Sequence, residues 1–185
     1  MTDKRRVIGL TLTELVGLGT VAFLLYYVSI TGASRMADAW AVDRVVAYAL
    51  LFVAPLLVFI PFNMALRLGP VWVLGTTSWA LLGYVLFFAS APERSTADVF
   101  TYIAFLTLMF IALGSAFAVP LGAVSNHISP PAQPGWLRAL RQGALLSLFV
   151  VTLLAMSPLG VLNWLNVFLV FTIVALTEFF FLARA

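Results

Sequence analysis

Charges in this sequence are separated by long uncharged apolar runs, and that spacing constrains the fold more than any other feature. Residues 7–34 carry only Glu14, while 45–66 and 68–92 carry no charge at all. A bilayer core about 30 Å thick is crossed by about 20 apolar residues in a helix, so these three segments each read as one crossing. Residues 99–137 are uncharged again, but Asn126, His127, Pro130, Pro131, Gln133, Pro134 and Gly135 have loop chemistry. The fourth crossing is therefore expected to end near Val124.

Between 142 and 177 lie 36 uncharged residues. A helix of that length would run roughly 54 Å, too far for one crossing. Ser157, Pro158, Leu159 and Gly160 supply a break near its middle, because proline restricts the residue before it and glycine permits positive φ. The expectation is an all-α membrane protein: a six-transmembrane-helix bundle in a single domain over 1–185. Its spans are placed near 8–30, 45–66, 70–91, 99–124, 140–157 and 161–183.

Composition agrees. Hydrophobic residues make up 63% of the chain and charged residues 9%, against about 25% charged in soluble domains. The net charge of +3 is spread over short connections and forms no basic groove, which argues against nucleic acid as a partner. The absence of cysteine excludes disulfides and thiolate chemistry.

Cations in short loops are retained on the cytoplasmic side. With both termini cytoplasmic, Lys4, Arg5, Arg6, Arg67, Arg138, Arg141 and Arg184 fall inside, against Arg35, Arg44 and Arg94 outside. Trp40, Trp72, Trp136 and Trp164 stand near expected helix ends, where indole suits the interface. The first apolar segment exceeds the length of a secretory h-region and contains Glu14, so it is expected to be retained as a helix.

Glu14 and Glu178 are the ionisable residues deep within spans, and an intramembrane carboxylate is a candidate functional group because ionised groups are costly there. Both are expected in the cytoplasmic half, where they either share a layer or pair with Arg141. On span six, Asn163, Asn166, Val170, Val174, Thr177 and Glu178 fall within an arc of about 120° that should face protein. This polar face suits a helix interface or a substrate site; the candidate polar site is Glu14, Asn163, Asn166 and Glu178.

Small residues recur at i, i+4 spacing as Gly9, Thr13 and Gly17 on span one, and as Gly114, Ala118 and Gly122 on span four. Close helix packing is their expected role. Pro55, Pro61 and Pro120 interrupt the backbone ladder inside spans. Residues 33–44 have the pattern of a short interfacial helix, and 136–141 that of a basic amphipathic lead into span five, suited to anionic lipid.

Enzyme chemistry finds no constellation here. His127 is the only histidine, no aspartate lies within a span, and no phosphate loop is present. No cofactor or metal site is expected, and the expected partners are the lipid bilayer and either further copies of the chain or a larger membrane complex.

Arg141-Gln142-Gly143, Leu162-Asn163-Trp164-Leu165-Asn166 and Glu178-Phe179-Phe180, set between apolar stretches, resemble small multi-span bacterial inner-membrane proteins of uncharacterised function. The resemblance covers about the last quarter of the chain and implies a bacterial cytoplasmic (inner) membrane location without an activity. In outline the chain is also similar to the substrate-binding membrane subunits of vitamin importers, with no matching motif.

Overall fold

A computed structural model describes the backbone over residues 2–35, 40–66, 69–88, 96–128 and 135–183, and side chains over 9–31, 40–66, 69–88, 99–124 and 136–183. Six helices account for nearly all of it: α1 Thr2–Arg35, α2 Val42–Leu66, α3 Val71–Phe88, α4 Thr96–Ile128, α5 Gly135–Met156 and α6 Trp164–Ala183. No strand occurs among the described residues. Each helix contains a stretch long and apolar enough to cross a membrane. Helices are what such a sequence must form in lipid, because every backbone N–H and C=O has to be satisfied within its own segment.

The chain divides into two compact units, Met1–Glu93 with α1 to α3 and Arg94–Ala185 with α4 to α6. In the first, α1 packs on α2 and α2 on α3; in the second, α4 and α5 share the most extensive face and α6 rests more lightly on α5.

Glycines set how closely these pairs approach. A Cβ on Gly17 would lie 3.1 Å from the Leu57 carbonyl carbon, so α1 touches the α2 backbone itself. That contact falls where Pro61 has no N–H to offer the Leu57 carbonyl. On α3, Gly75 receives the Phe59 ring and Gly83 the Leu51 side chain. On α5, a Cβ at Gly143 would meet the Gly114 carbonyl oxygen and lie 2.8 Å from the Ala118 nitrogen. Ser147, fully buried, adds a 2.6 Å hydrogen bond from its hydroxyl to the Phe110 carbonyl of α4.

The α4 stripe of Gly114, Ala118 and Gly122 is buried along its length. The α1 stripe is not uniform. Gly17 is buried, Gly9 has open space where a Cβ would stand, and Thr13 bonds its own helix at the Gly9 carbonyl.

Several boundaries differ from the sequence expectation. The apolar span of α4 is Val99–Val124, as expected, but the helix continues through Asn126 and His127 to Ile128, because polarity alone does not end a helix and the first excluding residue is Pro130. Helix α5 begins at Gly135, five residues before the expected start at 140, so the basic lead at 136–141 forms its first turns. Helix α6 begins at Trp164, three residues later than expected. The α5–α6 connection turns at 157–160, where the Gly160 N–H bonds the Ser157 carbonyl at 3.1 Å and Gly160 adopts φ 67°.

Of the interfacial segment expected at 33–44, positions 36–39 lie outside the described residues, as do positions 89–91 of the third span. The side chains of Lys4, Arg5, Arg6, Arg35, Arg67, Arg94, His127 and Arg184 lie outside them too. Trp40 and Trp164 are strongly exposed at helix ends.

Candidate functional site

The polar centre of the second unit joins the first turns of α5 to the last turns of α6. Arg141 and Gln142 are consecutive on α5, and antiparallel packing brings both to Glu178. The Arg141 Nη2 donates to Glu178 Oε1 at 3.3 Å, and the Gln142 Nε2 donates to the same oxygen at 3.0 Å. Register follows from the turn: a chain folded back at 157–160 carries residues near 178 to those near 140. Phe149 on Phe171, with ring centroids 6.2 Å apart, marks the same register nearer the turn.

Distances decide what each donor contributes. Charge-assisted N–H···O bonds usually measure about 2.7–2.9 Å, so the arginine contact is loose and acts chiefly through charge. The Gln142 contact has ordinary hydrogen-bond length. Phe181, one turn beyond Glu178, lies under the Arg141 guanidinium at 5.1 Å from its ring centroid, a cation–π contact. The paired side chains are 24% and 22% exposed, so solvent or headgroup screening reaches the pair only in part. Among the described residues, Arg141 Nε and Glu178 Oε2 are buried without a hydrogen-bond partner.

The asparagines serve a different end of α6. Asn163 Oδ1 accepts from the Asn166 N–H at 2.8 Å, the bond an N-cap makes to the third helical residue, and Asn166 Nδ2 donates back to the Val161 carbonyl at 2.6 Å. Twelve residues of helix, about 18 Å, separate Asn166 from Glu178. The structure therefore does not gather Asn163, Asn166 and Glu178 into one polar site. Of the expected face of α6, Val170 is buried and Asn166, Val174, Thr177 and Glu178 are half-buried, while Asn163, like most of the helix, is exposed. Thr177 bonds its own Ile173 carbonyl.

Glu14 belongs to α1 in the other unit, where it is half-buried. Among the described residues no hydrogen bond or ion pair reaches it, and no group of three or more His, Cys, Asp or Glu stands where it could hold a metal ion.

Sequence reasoning named Arg141 as a possible partner and missed Gln142 and Phe181. The adjacency of two polar residues at the head of α5 and the i, i+3 spacing of Glu178 and Phe181 were the available signals. No protein-family model, curated protein or solved structure matches this chain.

Proposed function

We propose that this chain is an integral membrane subunit or scaffold that works through helix–helix contacts and has no catalytic activity of its own. The observation that carries this reading is the internal use of Glu178. Its Oε1 takes both Arg141 and Gln142, so the carboxylate on α6 fastens two helices of the same unit. A group held in this way is a structural tie first, since breaking it exposes charge where ionised groups are costly. Helix α6 meanwhile presents Phe168, Leu169, Leu176 and Phe179 outward, a surface suited to lipid or to another apolar helix. The bacterial cytoplasmic membrane is the proposed location. Crosslinking in native membranes, followed by purification in mild detergent, tests the reading: a homo-oligomer or a co-purifying membrane protein is expected. A monomer without partner at native expression level overturns it.

A second reading, a small transporter or membrane substrate-binding subunit, is favoured by Glu14, which is half-buried without a partner among the described residues. Glu178 is the candidate carboxylate of the other unit, with Oε2 lacking a hydrogen-bond partner among the described residues. Glu14→Gln and Glu178→Gln should then alter ligand binding or proton-coupled uptake in reconstituted vesicles. Unchanged flux in both variants removes that role.

A further inference from the structure

Helix boundaries in the two units repeat at one spacing. Val42 and Gly135 open the second helix of each unit, and Val71 and Trp164 the third; each pair is 93 positions apart, as are Arg35 and Ile128, which close the first. The units themselves begin at Met1 and Arg94, again 93 apart. Both turns into the third helix carry a glycine at positive φ, Gly69 at 58° and Gly160 at 67°. Each glycine follows a leucine, and each third helix has a tryptophan, Trp72 or Trp164, as its first or second residue. Further along that helix stand Phe87-Phe88 and Phe180-Phe181, at the same spacing of 93.

Contacts repeat with the boundaries. In the first unit the Tyr48 ring of α2 meets the Phe88 ring of α3 with centroids 5.1 Å apart. Advanced by 93 positions these are Arg141 and Phe181, and the Arg141 guanidinium carbon lies 5.1 Å from the Phe181 ring centroid. The first and second helices agree in register to within a turn. Gly17 of α1 packs on Leu57 of α2, and its counterpart Phe110 offers its carbonyl to Ser147, three residues short of the counterpart of Leu57. Membrane thickness does not impose this agreement, because a spanning helix of any length from about 17 to 25 residues suffices. Helices α1 and α4, with 34 and 33 residues, exceed that range together.

We propose that the two units are copies of one three-helix module, and that the charged tie of the second unit is where the copies have parted in chemistry. With one crossing per helix, a three-helix module ends on the membrane face opposite its start. The second copy therefore enters inverted, the construction of inverted-repeat membrane proteins. Where the second unit has Arg141, Gln142 and Glu178, the first has Tyr48, Ala49 and Val85. The same phenylalanine position is thus met by an aromatic ring in one copy and by a paired guanidinium in the other. The inference goes beyond both readings of function and holds under either.

The experiment gives the second unit the residues of the first. In the matched variant of the full chain, Arg141→Tyr, Gln142→Ala and Glu178→Val are combined. In the mismatched variant, Arg141→Ala, Gln142→Tyr and Glu178→Val make the same exchange with the tyrosine one residue along, about 100° round the helix from the position over Phe181. The matched variant should unfold in mild detergent within about 4 °C of the wild type, the scale of one weak interaction in a chain of this length. The mismatched variant should unfold lower by about as much again. A matched variant that fails to fold, that departs further from the wild type, or that unfolds no higher than the mismatched one overturns the proposal. Orientation is read separately from Pro70→Cys and Asn163→Cys, at exposed positions 93 apart. An impermeant maleimide should reach them from opposite faces, and labelling of both from one face overturns the inversion.

Discussion

Arg141 reaches Glu178 from the opening turns of α5 to the closing turns of α6, and their 3.3 Å contact fastens a hairpin at the end opposite its turn. Removing one partner leaves the other charged and poorly solvated. Glu178→Leu or Arg141→Leu is expected to cost about 1.5–3 kcal/mol, the range for a hydrogen bond to a charged group. The double leucine variant should lose less than the sum of the two, because no orphaned charge remains. Denaturant unfolding of detergent-solubilised protein measures the cycle, and strictly additive losses would show that the contact contributes no coupling.

Close approach of α4 and α5 rests on Gly143. Any Cβ there meets the Gly114 carbonyl and the Ala118 backbone, so Gly143→Val should destabilise by at least the cost of an overpacked core, about 1–3 kcal/mol. Gly9, with open space around it, supplies the contrast: Gly9→Val should stay within about 0.5 kcal/mol, apart from its intrinsic helix propensity. Equal losses at the two positions in thermal unfolding would remove packing as the cause.

At Gly160 the demand is conformational. Its φ of 67° costs an L-residue about 1–2 kcal/mol, so Gly160→Ala should weaken the hairpin while Gly160→Asn, which tolerates this region, should weaken it less. Unfolding curves of the two variants give the comparison; an alanine variant as stable as the glycine protein would count against a required left-handed turn.

Orientation is open to chemical labelling because the chain lacks cysteine. Single cysteines at Ser34 and Ser95 are expected to react with a membrane-impermeant maleimide from outside, and those at Ser129 and Ala185 only after permeabilisation. External labelling at Ala185 would contradict a cytoplasmic C-terminus.

Charge spacing made the six helices legible, and Pro158 with Gly160 made the last hairpin legible. Hydropathy fixes how far a helix runs, but rotation about its axis is decided by partners. Helices that are apolar nearly all round carry little periodic signal to reveal it. Span four could be read from its small-residue stripe because Gly114, Ala118 and Gly122 break that uniformity. Gly75 and Gly83 share α3 with Trp79 midway between them, and only their neighbours show what they admit. Gly143 instead stands between Ala139 and Ser147 at i, i+4 spacing on α5, a small-residue stripe that went unread. Gln142 was hidden for a similar reason, since its role depends on the register set by a turn many residues away. The pairing of Asn163 with Asn166 was readable as a helix start, an acceptor three residues ahead of its N–H donor. Attention to polarity within the span obscured it.

Within each unit the extensive faces join helices that follow one another in the chain: α1 with α2, α2 with α3, α4 with α5. The consequence is one of timing during synthesis. Each such face is complete as soon as its second helix has left the ribosome, so α1 and α2 can settle before α3 is made, and α4 and α5 before α6. Low sequence separation between partners shortens the search for native pairing. Helix α6 arrives last, to a surface already assembled, and the Arg141 charge on α5 waits through that interval for the carboxylate that α6 delivers.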